Sequence, residues 1–260
     1  MNQAAAIHFV RERGTSSEQA RLTFLLTGQR PSSESMQQFF QDQQEDGSWS
    51  PFWAPFYSGL DATCFHLAQA EQMGIRATES AMVRAILFLA RRQRPDGAFE
   101  EDDAVSNLAP AWVKPGDLVA QLYLTANCGF WLTSLSQTQA SAQLAASSVH
   151  SFLPADGHLP TFLHAHWLAA GLFSRLQQIE PAERLMAYLA TRLPDLSASS
   201  LAWLTVTLHL ASWPATTPLL VQAAALLNQQ QQPTGNWQSE DGPERDVHAT
   251  LEALRAFTLL

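Results

Sequence analysis

The chain has 260 residues, 46% of them hydrophobic, and sets 15 Lys and Arg against 24 Asp and Glu for a formal net charge of -9. That surplus repels a phosphate backbone or an anionic membrane surface, which argues against nucleic acid as a partner, and no stretch approaches the ~20 apolar residues of a membrane span. Only Cys64 and Cys128 occur, too few for a disulfide scaffold or a Cys-rich zinc site, so the expectation is a soluble, cytoplasmic protein with one domain over residues 1–260.

Breaks at Gly, Pro, Ser and Asp delimit about twelve helices, at roughly 3–12, 16–27, 33–44, 59–73, 78–93, 116–134, 139–153, 161–177, 180–192, 198–211, 217–231 and 245–259. Strand signals are nearly absent, and apolar residues recur at spacings of three and four, so the predicted class is all-α. The helices fall into six pairs. The second member of a pair is the more uniformly apolar, as in "DLVAQLYLTANCGFWLTSL", "TFLHAHWLAAGLFSRL" and "SLAWLTVTLHLA", and a helix apolar all round is a buried one. An inner ring of apolar helices and an outer ring of more polar ones is the expected arrangement.

Turns of one kind recur between the pairs: "QQEDGSW" at Gln43 to Trp49, "QRPDGAF" at Gln93 to Phe99, "QQPTGNW" at Gln231 to Trp237, and a weaker copy, "LPADGHL", at Leu153 to Leu159. In such a turn a Gln at the helix end is placed to donate to orphan carbonyls, Gly supplies the positive φ, and the aromatic can lie over the Gln amide. Fixed self-similarity of this sort marks a repeat architecture.

These residues resemble the repeats of squalene-hopene cyclases, other class II terpene cyclases and protein prenyltransferase β subunits, whose Gln-Trp motif is matched at Gln43 to Trp49 and Gln231 to Trp237. The resemblance covers nearly the whole chain. It implies a single α/α toroid of six hairpins around a central cavity. In squalene-hopene-type cyclases a Gly-aromatic turn is followed by an aromatic-rich loop and then by DxDDTA at the start of an inner helix, the middle Asp being the proton donor. Here the corresponding run is "GSWSPFWAPFYSGLDATC". Aligning Thr63 with the motif's Thr places Asp61 on the middle Asp, with Gly59 at the first Asp position and Ala62 at the last.

Asp61 also reads simply as a carboxylate suited to the partial positive charge of a helix's first turn, and Asp117 and Asp246 open helices in the same way. If Asp61 is an acid, Asp117, His164 and His166 are the candidate partners; an ordinary capping or core histidine is the other reading of each His. Trp53, Phe56, Tyr57, Phe65, Tyr123, Phe130, Trp131, Trp167 and Trp203 are candidate π faces for a carbocation, each worth ~0.5 to 2 kcal/mol, or plain packing between helix layers. "FEEDDAV" at Phe99 to Val105 is a solvated acidic loop or, through Asp102 and Asp103, a site for Mg²⁺ bridged to a diphosphate. "RDVHAT" lacks the register and the Asp-x-Cys partner of the prenyltransferase zinc site, so no metal is expected. No Gly-rich phosphate loop, GxSxG elbow or HExxH pattern occurs.

The resemblance thus implies a small class II-like terpene cyclase that protonates a polyprenyl or other lipophilic chain and needs no cofactor, with Mg²⁺ entering only if the substrate is a diphosphate. The alternative is a toroid that binds a hydrophobic ligand or a partner subunit without catalysis, since fold does not imply function.

Overall fold

A computed structural model describes residues 1–135 and 139–260. Among these residues there are twelve α-helices: α1 (Gln3–Arg13), α2 (Ser16–Thr27), α3 (Ser33–Phe40), α4 (Leu60–Gln72), α5 (Ser80–Arg92), α6 (Leu118–Ser134), α7 (Gln139–His150), α8 (Leu163–Arg175), α9 (Ile179–Arg192), α10 (Ala198–Leu210), α11 (Pro218–Gln229) and α12 (Asp246–Leu259). Short 3₁₀ turns lie at Asp103–Val105, Ala111–Val113, Leu193–Asp195 and Pro243–Arg245. Helix α3 stops four residues before its expected end because Gln43 and Gln44 are drawn into the turn: the Gln44 N–H donates to the Ser48 carbonyl at 2.9 Å. No described helix is long and apolar enough to cross a membrane.

The chain divides into two compact units, one of Met1–Phe39, Gln72–Gly74 and Leu189–Leu260, the other of Phe40–Glu71 and Ile75–Tyr188. In the second unit α6 packs on α5, α7 and α8. Its run from Leu122 to Thr133 is buried without interruption, as is α8 from Ala165 to Ser174, which is what their unbroken apolar sequences demand. In the first unit α10 and α12 pack on each other, and α12 also meets α1, α2 and α11.

The recurring turns hold neighbouring helices by two repeated devices. In the first, the Gln side-chain amide bridges its own turn and the start of the next outer helix. Gln43 Nε2 donates to Gly47 O at 3.0 Å and Ala81 O at 2.8 Å; Gln93 Nε2 donates to Gly97 O at 3.0 Å and Ser141 O at 2.8 Å; Gln231 Nε2 donates to Gly235 O at 2.8 Å and Asn2 O at 3.0 Å. The carbonyls these amides serve therefore lie in the turn and on the next helix, not at the Gln's own helix end as the sequence suggested. At the fourth turn Leu153 has no amide, and Arg184 of α9 reaches back to Pro154 O at 3.3 Å instead. Glycine is obligatory for two reasons at Gly47: its φ is +97°, and a Cβ there would collide with the Arg84 carbonyl, so the turn backbone lies directly on α5.

In the second device the backbone N–H of the turn's last residue donates to a hydroxyl on the following buried helix, and that hydroxyl donates one turn back. Trp49 N bonds Thr63 Oγ1 at 3.2 Å, and Thr63 bonds Gly59 O at 2.6 Å. Phe99 N bonds Thr125 Oγ1 at 2.9 Å, and Trp237 N bonds Thr250 Oγ1 at 3.1 Å. The fourth copy substitutes a histidine: Leu159 N donates to His166 Nε2 at 3.1 Å, while Nδ1 faces Phe162 O at 3.2 Å. Since Nε2 accepts, Nδ1 carries the proton.

Each threonine thus satisfies a buried N–H, and leaving such a donor unpaired costs about 1–3 kcal/mol. Thr125→Val keeps the shape and removes the acceptor under fully buried Phe99. We expect it to lower the unfolding free energy by about that amount in a denaturant titration, and an unchanged midpoint would refute the clip.

The motif tryptophans are both buried but seat differently. Trp237 donates its indole N–H to Leu227 O at 2.8 Å, near the end of α11. Trp49 stacks on His66 with centroids 4.7 Å apart and planes at 5°, and meets Phe40 at 6.1 Å.

The first unit also encloses a polar cluster. Arg21 on α2 donates from Nε to Gln72 Oε1 at 2.7 Å and from Nη2 to Glu252 Oε1 at 2.8 Å, with Nη1 3.1 Å from His248 Nδ1. Gln72 also donates to Glu252 Oε1 at 2.7 Å. Burial and the Arg21 charge depress the His248 imidazole to about 4. Burial alone would raise the Glu252 carboxyl, but His248, Arg21, Arg255 and the Gln72 amide outweigh it and hold the group below its usual range.

Candidate active site

Helix α4 begins without a cap of its own. Gly59 accepts from Thr63 N at 3.2 Å and so occupies the N-cap position, but it has no side chain to receive the orphan N–H groups of the first turn. Glu101, from the acidic run after α5, supplies the missing acceptor: its Oε1 receives Leu60 N at 2.9 Å and Asp61 N at 3.3 Å. Its Oε2 receives the Tyr57 hydroxyl at 3.0 Å. Tyr57 is itself held, its oxygen accepting from Asp102 N at 2.7 Å and from Arg92 Nη2 at 3.2 Å. Glu101 is buried, and that burial pushes its carboxyl up to about 7 against the pull of the Asp61 and Leu60 N–H groups, the Tyr57 hydroxyl and Arg92.

Asp61 is one residue into α4 and partly exposed. The Tyr123 hydroxyl donates to its Oδ1 at 2.8 Å, and Asn127 Nδ2 lies 3.4 Å from the same oxygen. Tyr123 and Asn127 are four apart on α6, hence on one face, and the Trp112 indole supplies a further hydrogen bond. Burial raises the Asp61 carboxyl above its usual value, while Tyr123, Trp112 and Asn127 work in the opposite direction. Burial and the neighbouring Asp61 push the Tyr123 phenol well up, so at neutral pH it remains a hydrogen-bond donor. Asn127 is buried, and its Oδ1 has no partner among the described residues. One turn behind, Cys64 and Cys128 are free, buried thiols with their sulfurs 3.8 Å apart.

The other candidates are placed as follows. Asp117 caps α6, its Oδ1 accepting Val119 N at 2.8 Å. His166 is committed to the Leu159 clip, and His164 packs edge-on against Trp167 with centroids 5.0 Å apart. The donors found on Asp61 are thus Tyr123, Asn127 and Trp112, two of which sequence reasoning had not picked out. Among the aromatics, Phe130 and Trp167 are fully buried, and Trp131 is nearly so; Phe130 and Trp131 meet edge to face at 5.4 Å. Trp203 on α10 and Trp53 are half-buried, Phe65 is 40% exposed, and Phe56 stands 94% exposed, with its ring in solvent. Asp102 spends Oδ1 on Ala104 N at 2.9 Å, and Asp103 beside it is exposed. No group of three or more His, Cys, Asp or Glu side chains able to hold a metal occurs among the described residues.

Neither a protein-family model nor a curated protein matches the sequence. Solved structures do. A protein from Actinoplanes is similar over 99% of both chains, with 17% sequence identity and a TM-score of 0.65. The type II terpene cyclase MstE from Scytonema, in its apo form, is similar over 99% of this chain and 98% of its own, with 15% identity and a TM-score of 0.64. A variant of MstE in complex with its substrate, geranylgeranyl dihydroxybenzoate, matches at 14% identity and a TM-score of 0.63, over 99% of this chain and 95% of its own. At such identities the likeness shows the fold, which is all-α, of the α/α-toroid class and like that of a type II terpene cyclase.

Proposed function

We propose that the protein is a class II-like terpene cyclase, an isomerase in which Asp61 protonates the terminal double bond of a polyprenyl chain. The observation that carries this reading is the setting of the Asp61 carboxyl. Burial favours its protonated form, which enlarges the fraction able to donate a proton. Burial alone would also weaken the acid, because it penalises the carboxylate left behind. The Tyr123 hydroxyl, the Asn127 amide and the Trp112 indole meet that difficulty, since hydrogen bonds to the charged form stabilise it as the proton leaves. A non-catalytic module would leave Asp61 merely solvated, and these contacts speak against that alternative.

In the proposed reaction the Asp61 proton adds to the terminal alkene carbon. The cation closes rings onto internal double bonds, and loss of a proton from the final cation ends the reaction. One proton enters and one leaves, so the step is an isomerisation that consumes no co-substrate and calls on no cofactor. Tyr57, Phe65, Tyr123 and Trp131 are the aromatics we assign to the chain's cationic stages. Should the substrate carry a diphosphate, Asp102 and Asp103 are the exposed carboxylates we assign to its Mg²⁺. The single domain and the cytoplasmic location remain part of this proposal, the latter resting on the two free cysteines.

The experiment is a thermal-shift and turnover screen with farnesyl and geranylgeranyl compounds, squalene, and the geranylgeranyl dihydroxybenzoate bound by the MstE variant. At least one should raise the melting temperature and yield a cyclic isomer of unchanged mass. Absence of both effects across the set would overturn the reading.

A further inference from the structure

The fold brings the chain's two cysteines together. Cys64 on α4 and Cys128 on α6 are 64 residues apart in sequence, yet their buried, free thiols stand with the sulfurs 3.8 Å from each other. We propose that this pair is a modification site: peroxide converts it into an internal disulfide that joins α4 to α6 and makes Asp61 a less effective acid. Formation of the bond stands apart from the cyclase reading, and only its effect on turnover rests on that reading.

A disulfide holds its sulfurs about 2.05 Å apart, so the pair has to close by about 1.8 Å from its present 3.8 Å. Rotation of the two side chains supplies part of that approach, and the helices supply the rest. Helix α6 is packed on α5, α7 and α8, and the packing is tight beside Cys128, where a Cβ on Gly129 would strike Leu172 of α8 and Ala145 of α7. Helix α4 meets α6 through side chains, Asp61 with Tyr123 and Asn127 and, one turn later, Cys64 with Cys128. It is therefore α4 that yields. Asp61 and Cys64 are three residues apart on it, and Asn127 and Cys128 are adjacent on α6, so a shift at the sulfurs is carried to the acid. The bond from the Tyr123 hydroxyl to Asp61 Oδ1, at 2.8 Å, already has the usual length for O–H···O, and displacement loosens it.

The step balances with hydrogen peroxide as the oxidant. One thiolate attacks a peroxide oxygen, the O–O bond breaks, and the sulfur becomes a sulfenic acid while the other oxygen takes up the thiol proton and leaves as water. The second thiol displaces the sulfenic hydroxyl, which leaves as a second water, and the S–S bond forms. Together the sulfurs lose two electrons and the peroxide oxygens gain two. Burial, with the hydrogen bond to Cys128, pushes the Cys64 thiol well up, so the thiolate that starts the reaction is scarce and sustained oxidant is needed. Once a sulfenic acid has formed, the neighbouring sulfur at 3.8 Å intercepts it before further oxygen adds.

The test exposes the intact protein, without substrate, to hydrogen peroxide, removes the excess with catalase, unfolds the chain and alkylates its free thiols. The wild type should take up no alkyl group, weigh two hydrogens less than the untreated chain, and give on digestion a peptide pair linked through Cys64 and Cys128. Dithiothreitol should restore both alkylation sites. The Asp61 side-chain carboxyl, followed by carbon NMR, should shift on oxidation and return on reduction. With an accepted polyprenyl substrate, kcat of the oxidised protein should fall at least about 10-fold and recover on reduction, while Cys64→Ala should form no internal link and keep its turnover through the same treatment. Cys128→Ala serves the same purpose if Cys64→Ala fails to fold.

Two alkylatable thiols after treatment, or oxygen added to either sulfur without the Cys64 to Cys128 link, overturns the proposal. A link that leaves both the Asp61 resonance and kcat unchanged overturns its effect on the acid. The link is read without substrate, so its absence falls on this proposal alone, and an absence of turnover falls on the cyclase reading alone.

Discussion

Asp61→Asn should reduce turnover of an identified polyprenyl substrate by about 10³-fold or more, with ligand-induced thermal stabilisation retained. General acid catalysis contributes about 10² to 10⁴-fold where a bypass exists, and water is no substitute for a carboxylic acid in protonating an alkene. Asn keeps the shape of the side chain and can still accept from Tyr123 and Asn127, so binding and folding should change little. Tyr123→Phe separates donor support from the acid itself: it removes one hydrogen bond to the carboxylate and should cost about 10-fold, since a hydrogen bond to a charged group is worth about 1.5–3 kcal/mol and only part of it develops in the transition state. Normal turnover by Asp61→Asn, with loss of activity in Asp102→Asn or Asp103→Asn, would move the site to the acidic loop.

Glu252→Leu should be among the most destabilising single changes. Arg21 is 2% exposed, and removing its anion leaves an uncompensated buried guanidinium, which costs about 3–5 kcal/mol. Replacing both partners with apolar residues, as in Arg21→Met with Glu252→Leu, should restore most of that loss. A single variant within about 1 kcal/mol of wild type would mean that Arg21 finds its compensation elsewhere.

The same cluster gives a pH signature. His248 binds a proton near 6.5 when unfolded but only near 4 when folded, so stability falls as pH drops through that window. By linkage the loss between pH 7 and pH 5 is about 2 kcal/mol. Glu252 has a depressed folded value, so its contribution is lost only lower, as pH falls through that value. Glu101 acts in the opposite sense: its raised folded value costs stability above 4.5, so acidification relieves it and offsets part of the histidine's loss. Comparing His248→Gln with wild type isolates the histidine. The difference in unfolding free energy between the two proteins should change by about 2 kcal/mol from pH 7 to pH 5 in favour of the variant, and a constant difference would contradict the assignment.

Local signals carried much of the fold. Helix positions followed from the apolar period and from Gly, Pro and Asp punctuation, and Gly47 and Gly97 marked turns because a backbone with positive φ lying on a neighbouring helix admits little else. Asp61 was legible through its place after the aromatic loop. What the sequence hid is long-range. Glu101 was one of four acidic residues in a row, and nothing local distinguishes the one that turns inward to cap a helix 40 residues earlier; a sharper signal was Gly59, an N-cap without a side chain that implies a capping partner elsewhere. Arg21 and Glu252 are separated by 231 residues, so no periodicity joins them. His166 looked like a catalytic partner because histidines often are, yet it fills the place that Thr63, Thr125 and Thr250 hold in the other turns. Asn127 could have been found from its spacing to Tyr123, four residues away on one helix face.

The most direct test of the central claim is turnover in deuterium oxide. If Asp61 starts the reaction by transferring its exchangeable proton to the terminal alkene carbon, the cyclic product formed from geranylgeranyl dihydroxybenzoate or another accepted polyprenyl compound should contain one non-exchangeable deuterium per molecule, at the carbon that began as the chain's terminal alkene. Asp61→Asn should form none of this product. A cyclic product free of deuterium, or one made equally well by Asp61→Asn, would contradict the account.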